Sequence, residues 1–247
     1  RVVEVAANDG YMLQYVKASN IPCFGVEPTA STAAAARAKG IPIVEDFFGG
    51  RLAEELVTQG KQADLTAANN VLAHVPDIND FVAGFAILLK PLGVATFEFP
   101  HLLKLIAENQ FDTIYHEHFS YLSLYSVIQI FARAGLRVWD IEELPTHGGS
   151  LRVYGCHAED KRLTNKAVPR LQAQESLIGM RSLQIYQTFQ LRANRVKDDL
   201  LLFLIEQKRV GKSVAAYGAA AKGCTLLNYA GVKPDLLPYV CDAAPSK

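Results

Sequence analysis

The stretch "FDTIYHEHFSYLSLYS", residues 111 to 126, crowds Tyr115, His116, Glu117, His118 and Tyr121 between apolar flanks. An imidazole changes charge near neutral pH and so suits a general base. Beside it, a carboxylate such as Glu117 orients a ring or holds a hydroxyl, and a phenol such as Tyr115 donates to a developing oxyanion. On a strand, His116 and His118 would share a face, and with Glu117 they are the beginnings of a metal site. H-x-H without a further ligand is a weak signal, however, and the expectation is no metal. The plainer alternative is a set of satisfied structural histidines, the default reading for His74, His101 and His157.

A second group lies in "VVEVAANDGYML", where a strand carrying Glu4 runs into a turn of small residues, Ala6, Ala7, Asn8, Asp9 and Gly10, and then into a helix. In an open α/β sheet this turn is where a nucleotide-like ligand binds. A dinucleotide fingerprint needs glycines where Ala6, Asn8 and Tyr11 stand, which argues against an NAD-linked epimerase or dehydrogenase. A small-residue turn with Gly10 suits a ligand without phosphate, such as S-adenosylmethionine. Glu27 is expected at the end of the second strand, as acceptor for both ribose hydroxyls. Asp46 and Phe47 are expected at the end of the third, against an adenine, and Asn69 with Asn70 at the end of the fourth. The competing reading makes Glu27 and Asp46 caps of the helices that follow them.

Further on, "HGGSLR" offers His147, Ser150 and Arg152 beside glycines that permit close backbone approach. "YGAAAKG" is a turn into a helix start, which attracts anions, with Lys222 and Thr225 on the first helical turn. Together these suit a substrate carrying a diphosphate; the plainer alternative is a turn that packs helix on strand.

Positioning such groups requires a parallel sheet. "RVVEVA", "IPCFGVE", "IPIVED", "ADLTAAN" and "GVATFEF" read as strands alternating with helical segments, a doubly wound α/β pattern. "YSVIQIFARAG" reads as an amphipathic helix stopped at Gly135, and "LRVWDIEELPTHGGSLRVYGC" as an antiparallel edge hairpin. One domain, 1–158, is thus expected to bind the cofactor. A second, 159–247, is expected to bind substrate: a helical linker, either a pair of helices or one long one, then a truncated Rossmann-like unit, "KSVAAYGAAAKGCTLLNYAGV" and "LLPYVCD". Clean heptads are lacking, which argues against a coiled coil.

The chain has 247 residues, half of them hydrophobic, with 25 basic and 25 acidic side chains. It is long enough for a full core, and its charge balance points away from nucleic acid. No apolar run reaches the roughly 20 residues of a membrane span and no leader pattern opens the chain, so a cytoplasmic location without membrane contact is expected. The four cysteines lie far apart and read as core thiols. Both ends break into strand patterns, as in a fragment. Oligomeric state has no sequence signal.

Taken together, "VVEVAANDGYML", "GVEPTASTAAAARAKGI", "YHEHFSYLSL", "HGGSLRVY" and "YGAAAKGCTLLNY" resemble the S-adenosylmethionine-dependent nucleotide-sugar C-methyltransferases of deoxysugar biosynthesis, over nearly the whole chain. The resemblance implies a class I methyltransferase domain, a C-terminal α/β domain, and a preceding zinc-binding domain that this sequence lacks. It also implies His118 as the base that forms an enolate beside a keto group, with Glu117 and Tyr115 alongside and Asn69 near the sulfonium. Ala6 departs from the usual glycine and Cys224 from the usual Asn. Two other readings are another small-molecule class I methyltransferase, and a binding protein that kept the fold without the chemistry.

Overall fold

A computed structural model describes residues 1–244. The chain divides into two compact units, one of residues 1–102 and 119–177 and one of residues 103–118 and 178–247.

The first unit is built on strands β1 (Val2–Val5), β2 (Cys23–Val26), β3 (Ile43–Val44), β4 (Ala63–Asn69), β5 (Leu89–Pro100), β6 (Leu136–Leu144) and β7 (Ser150–His157). Among the described residues they form one sheet of order β3-β2-β1-β4-β5-β7-β6. β3, β2, β1, β4 and β5 pair in parallel, whereas β7 lies antiparallel to both β5 and β6. The expected edge hairpin is thus present, with its second strand inserted beside β5. All four residues of β1 are buried, as a central strand covered on both faces requires.

Helices α1 (Leu13–Ala18), α2 (Ala30–Ala38), α3 (Gly50–Thr58) and α4 (Ile78–Leu88) follow successive strands. α4 starts where the Asp77 carboxylate accepts the N–H groups of Asn79 and Asp80. α5 (Leu102–Ala107) opens the departure from this unit, and α6 (Leu124–Arg133) follows the return. Ser123 caps α6 through Ser126 N–H, and the chain turns away at Gly135 with φ +74°. The α6 residues Leu124, Val127 and Phe131 are fully buried, one helical stripe. Phe85, Phe97 and Phe131 stack from α4 through β5 to α6 with centroids 4.6 and 5.2 Å apart. Each such ring is worth roughly 1.5–3 kcal/mol on burial. α7 (Ala167–Ile178) closes the unit.

The linker proves to be a pair of helices, α7 and the 27-residue α8 (Leu183–Arg209). In the second unit α8 precedes β8 (Ala216–Tyr217), α9 (Ala221–Ala230) and β9 (Val240–Cys241), with β8 and β9 parallel. Tyr229 of α9 packs its ring on Phe111 at 5.2 Å, and Arg192 of α8 reaches the carbonyl of Ile106. Among the described residues no helix is long and apolar enough to cross a membrane.

Candidate active site

At the carboxyl ends of β1 to β4 the first unit gathers the residues expected to hold a cofactor. The turn after β1 is tight: Ala6, Asn8 and Gly10 all have positive φ, at 58°, 50° and 75°. At Gly10 a Cβ would stand 2.4 Å from Ile41 Cδ1, so φ and space both demand glycine. Glu27, the residue after β2, is buried, and its carboxylate accepts Asn8 N–H at 3.0 Å through Oε2 and Thr29 N–H at 2.9 Å through Oε1. Thr29 is the N-cap position of α2, so Glu27 both supports that helix and clasps the β1 turn. Two donors fix the plane of the carboxylate, as an acceptor for a vicinal diol requires.

Asp46 does not cap α3. It pairs with Arg51 at 2.7 Å, and that guanidinium holds its carboxyl below the usual range; the donor to the start of α3 is instead met by Asp80. Phe47 is exposed. Ala6, Asp46, Phe47, Phe48, His74 and Phe81 help line a cavity of about 170 Å³. Asn69 ends β4, opposite Glu98 of β5, and Asn70 follows at φ 53°. A larger cavity of about 1190 Å³ opens at the amino ends of β4 and β5 and is lined by none of the candidate residues.

Glu4, named in the sequence on the first strand but given no role there, stands out on buried β1. It is 7% exposed, its Oε2 has no hydrogen-bond partner, and burial, aided by the Asp9 charge, pushes its pKa up to about 7. An acid in a hydrophobic strand run was a signal available in the sequence. His74, assigned a structural role by default, lines the small cavity, and nothing in the spacing of "NVLAHVP" marks it.

The proton-transfer residues belong to the second unit. Residues 114–121 form turns rather than a strand, so His116 and His118 are not placed on one face by strand geometry. His118 stacks on Tyr115 with centroids 4.5 Å apart and planes 31° from parallel. Its Nδ1 lies 3.1 Å from Thr113 O. A carbonyl only accepts, so Nδ1 carries the proton and Nε2 the basic lone pair of the neutral ring. The ring is therefore oriented by a backbone carbonyl, whereas Glu117 is exposed. Burial, reinforced by the charges of Glu117 and Asp112, raises the Tyr115 pKa above its ordinary value, so the phenol keeps its proton at neutral pH.

Leu102 N–H donates to Leu122 O, and Phe119 and Ser120 N–H groups converge on Ala73 O.

The expected substrate residues divide between the units. His147 is exposed with φ 55°. Ser150 is buried and donates to Thr146 O, while Arg152 pairs with Glu98 at 2.7 Å and Glu142 at 3.1 Å. Glu98 also accepts from Thr146 Oγ1, so the glycine turn is closed by an internal polar network. In the second unit Lys222 is exposed and lines a cavity of about 370 Å³, and Thr225 donates to Ala221 O within α9.

Residues 1–141 match the family described as a methyltransferase domain, and residues 145–247 match the C-methyltransferase C-terminal domain. The chain is 34% identical over 241 residues to the C-methyltransferase NovU of Streptomyces niveus, an overlap of 98% of this chain and 57% of that protein. In fold it is similar to a chain from the complex of the Haloferax volcanii Trm112 methyltransferase activator with a methyltransferase: TM-score 0.50, 16% identity, 63% of this chain and 81% of that one. It is likewise similar to magnesium protoporphyrin IX methyltransferase from Synechocystis PCC 6803 with bound SAH: TM-score 0.50, 12% identity, 63% of this chain and 73% of that one.

Proposed function

The chain belongs to the methyltransferase-domain family, and from that premise we propose that it serves a C-methyltransferase that moves a methyl group from S-adenosylmethionine to a carbon of a keto-deoxy nucleotide sugar. The 34% identity with NovU supports carbon as the acceptor. The crevice fits the cofactor: Glu27 is preset for the ribose diol, Gly10 lets the β1 turn pack against Ile41 and Ala36, the cavity beside Asp46, Phe47 and His74 suits an adenine, and the partnerless Glu4 oxygen and Asn69 lie at neighbouring strand ends. When bound, S-adenosylmethionine supplies an electrophilic methyl on a sulfonium that departs as a neutral thioether.

The acceptor carbon must first become nucleophilic. A ketone acidifies the neighbouring C–H, and His118 Nε2 takes that proton, leaving the electron pair shared between carbon and the carbonyl oxygen as an enolate. The hydrogen bond from Nδ1 to Thr113 O carries this reading, because it selects the tautomer with the base at Nε2. Tyr115, held protonated, donates to the enolate oxygen, and Glu117 takes a sugar hydroxyl. His147, Ser150, Arg152, Lys222 and Thr225 are assigned to the substrate. For Arg152 this means exchanging or sharing Glu98 and Glu142.

Incubation of the protein with S-adenosylmethionine and a 4-keto-6-deoxy sugar nucleotide, followed by mass spectrometry and carbon NMR of the product, tests the proposal. A new C–CH3 bond beside the carbonyl is the expected result. A methyl on oxygen or nitrogen, or no transfer, would overturn it.

A further inference from the structure

We propose that Tyr229 is a positioning residue for the base: its ring, packed on Phe111, holds the turn that presents the Thr113 carbonyl to His118. The inference rests on the reading of His118 as the base.

Two contacts orient the His118 ring, and they set different things. The stack on Tyr115 fixes the plane of the imidazole, but a ring turned over edge for edge keeps the same plane. The bond between Nδ1 and Thr113 O, 3.1 Å long, settles which edge faces the carbonyl and so leaves the lone pair on Nε2. In a free imidazole side chain the proton favours Nε2, so Nδ1–H persists only while that carbonyl stays in place.

Thr113 closes the short helical turn Phe111–Thr113. Its N–H and Oγ1 both donate to Gln110 O, bonds that give the turn a shape but not a place. The place is set through Phe111, the buried ring at the start of the turn, which meets the Tyr229 ring of α9 with centroids 5.2 Å apart. Tyr229 is itself fixed at its other end: the hydroxyl accepts from Gln190 Nε2 at 2.8 Å and donates to Asn194 Oδ1, both on α8. A long helix, a phenol, a phenyl ring, a carbonyl and an imidazole thus form one chain of contacts, all inside the second unit. Lys222 and Leu226 share the face of α9 that carries Tyr229, and with Phe111 and Asp112 they line one cavity. The helix assigned to substrate therefore also places the turn before the base. A hydrogen bond weakens steeply with misalignment, and a displacement of about 1 Å passed on to a reacting group costs on the order of a hundredfold in rate.

Nitrogen NMR of protein labelled at its histidine rings, with His118→Asn to assign the signals, reads the tautomer. Steady-state kinetics with S-adenosylmethionine and a 4-keto-6-deoxy sugar nucleotide read its consequence. Tyr229 is 38% exposed, so Tyr229→Ala leaves the core filled and the protein folded. That variant should move neutral His118 toward Nε2–H and lower kcat about tenfold or more, with KM for the sugar nucleotide and affinity for S-adenosylhomocysteine within about twofold of native. Tyr229→Phe, which keeps the ring, should restore most of the tautomer and most of the rate. Phe111→Leu added to Tyr229→Ala should lower kcat little further, because both act through one contact. A native tautomer in Tyr229→Ala, or a fall in kcat matched by a rise in KM and a loss of cofactor affinity, would overturn the positioning role while leaving His118 as the base. Native protein that transfers no methyl to carbon would overturn the base reading, and the positioning role with it.

Discussion

Glu175 and His101, 74 residues apart in sequence, meet in the interior of the first unit with Oε1 and Nε2 2.7 Å apart, both essentially inaccessible. The same carboxylate accepts Leu124 N–H at 2.7 Å and Tyr125 N–H at 2.9 Å, so one side chain of α7 caps α6 and holds the residue before α5. Glu175 therefore ties together the two places where the chain leaves the first unit and returns to it. Glu175→Ala would strand a buried imidazole and two N–H groups, a loss of about 3–5 kcal/mol. Urea unfolding should show this as a large fall in midpoint; a change under about 1 kcal/mol would contradict the assignment.

Glu4 makes stability depend on pH. Its folded-state pKa is about 7, against 4.5 for the ordinary carboxyl. Between those values the folded chain holds a proton that the unfolded chain has released, so stability should fall as pH rises from about 4.5 to 7. Glu4→Gln removes that titration, flattening the slope and raising stability at neutral pH by up to about 3 kcal/mol relative to native. Parallel denaturation curves for the two proteins at every pH would show that Glu4 titrates normally.

The cofactor reading bears on Glu27. Glu27→Ala should weaken S-adenosylhomocysteine binding more than tenfold, because a charged acceptor lost from two hydroxyls costs roughly 1.5–3 kcal/mol. The Asn8 and Thr29 amides are also released, so some stability is lost. Glu27→Gln, which keeps one of the two acceptor oxygens, should recover part of the stability and little of the affinity. An unchanged dissociation constant in either variant would remove the residue from the site.

For His118, the expected signature is kinetic. His118→Asn should lower kcat on the order of a hundredfold or more with cofactor affinity intact. The acid limb of the rate profile, where protonation disables the base, should vanish in the variant. Near-normal turnover in a folded variant would shift the role to Tyr115 or Glu117.

Much of this was legible in the chain. Apolar strand runs separated by helical periodicity carry the parallel sheet, because strands buried on both faces have no polar alternation to hide. Glu27 at a strand end and Gly10 in a small-residue turn were legible for a similar reason: local backbone geometry restricts which residues can stand there. Elsewhere the information is not local. The β6–β7 hairpin was visible, but the insertion of β7 beside β5 depends on the match of Phe97 and Glu98 with Val153 and Arg152, more than fifty residues away. The tautomer of His118 depends on where a main-chain carbonyl at Thr113 points, which carries no residue signature at all. His101 and Glu175 look like an isolated imidazole and a surface helix acid, and become a buried pair because the packing of α7 brings them together.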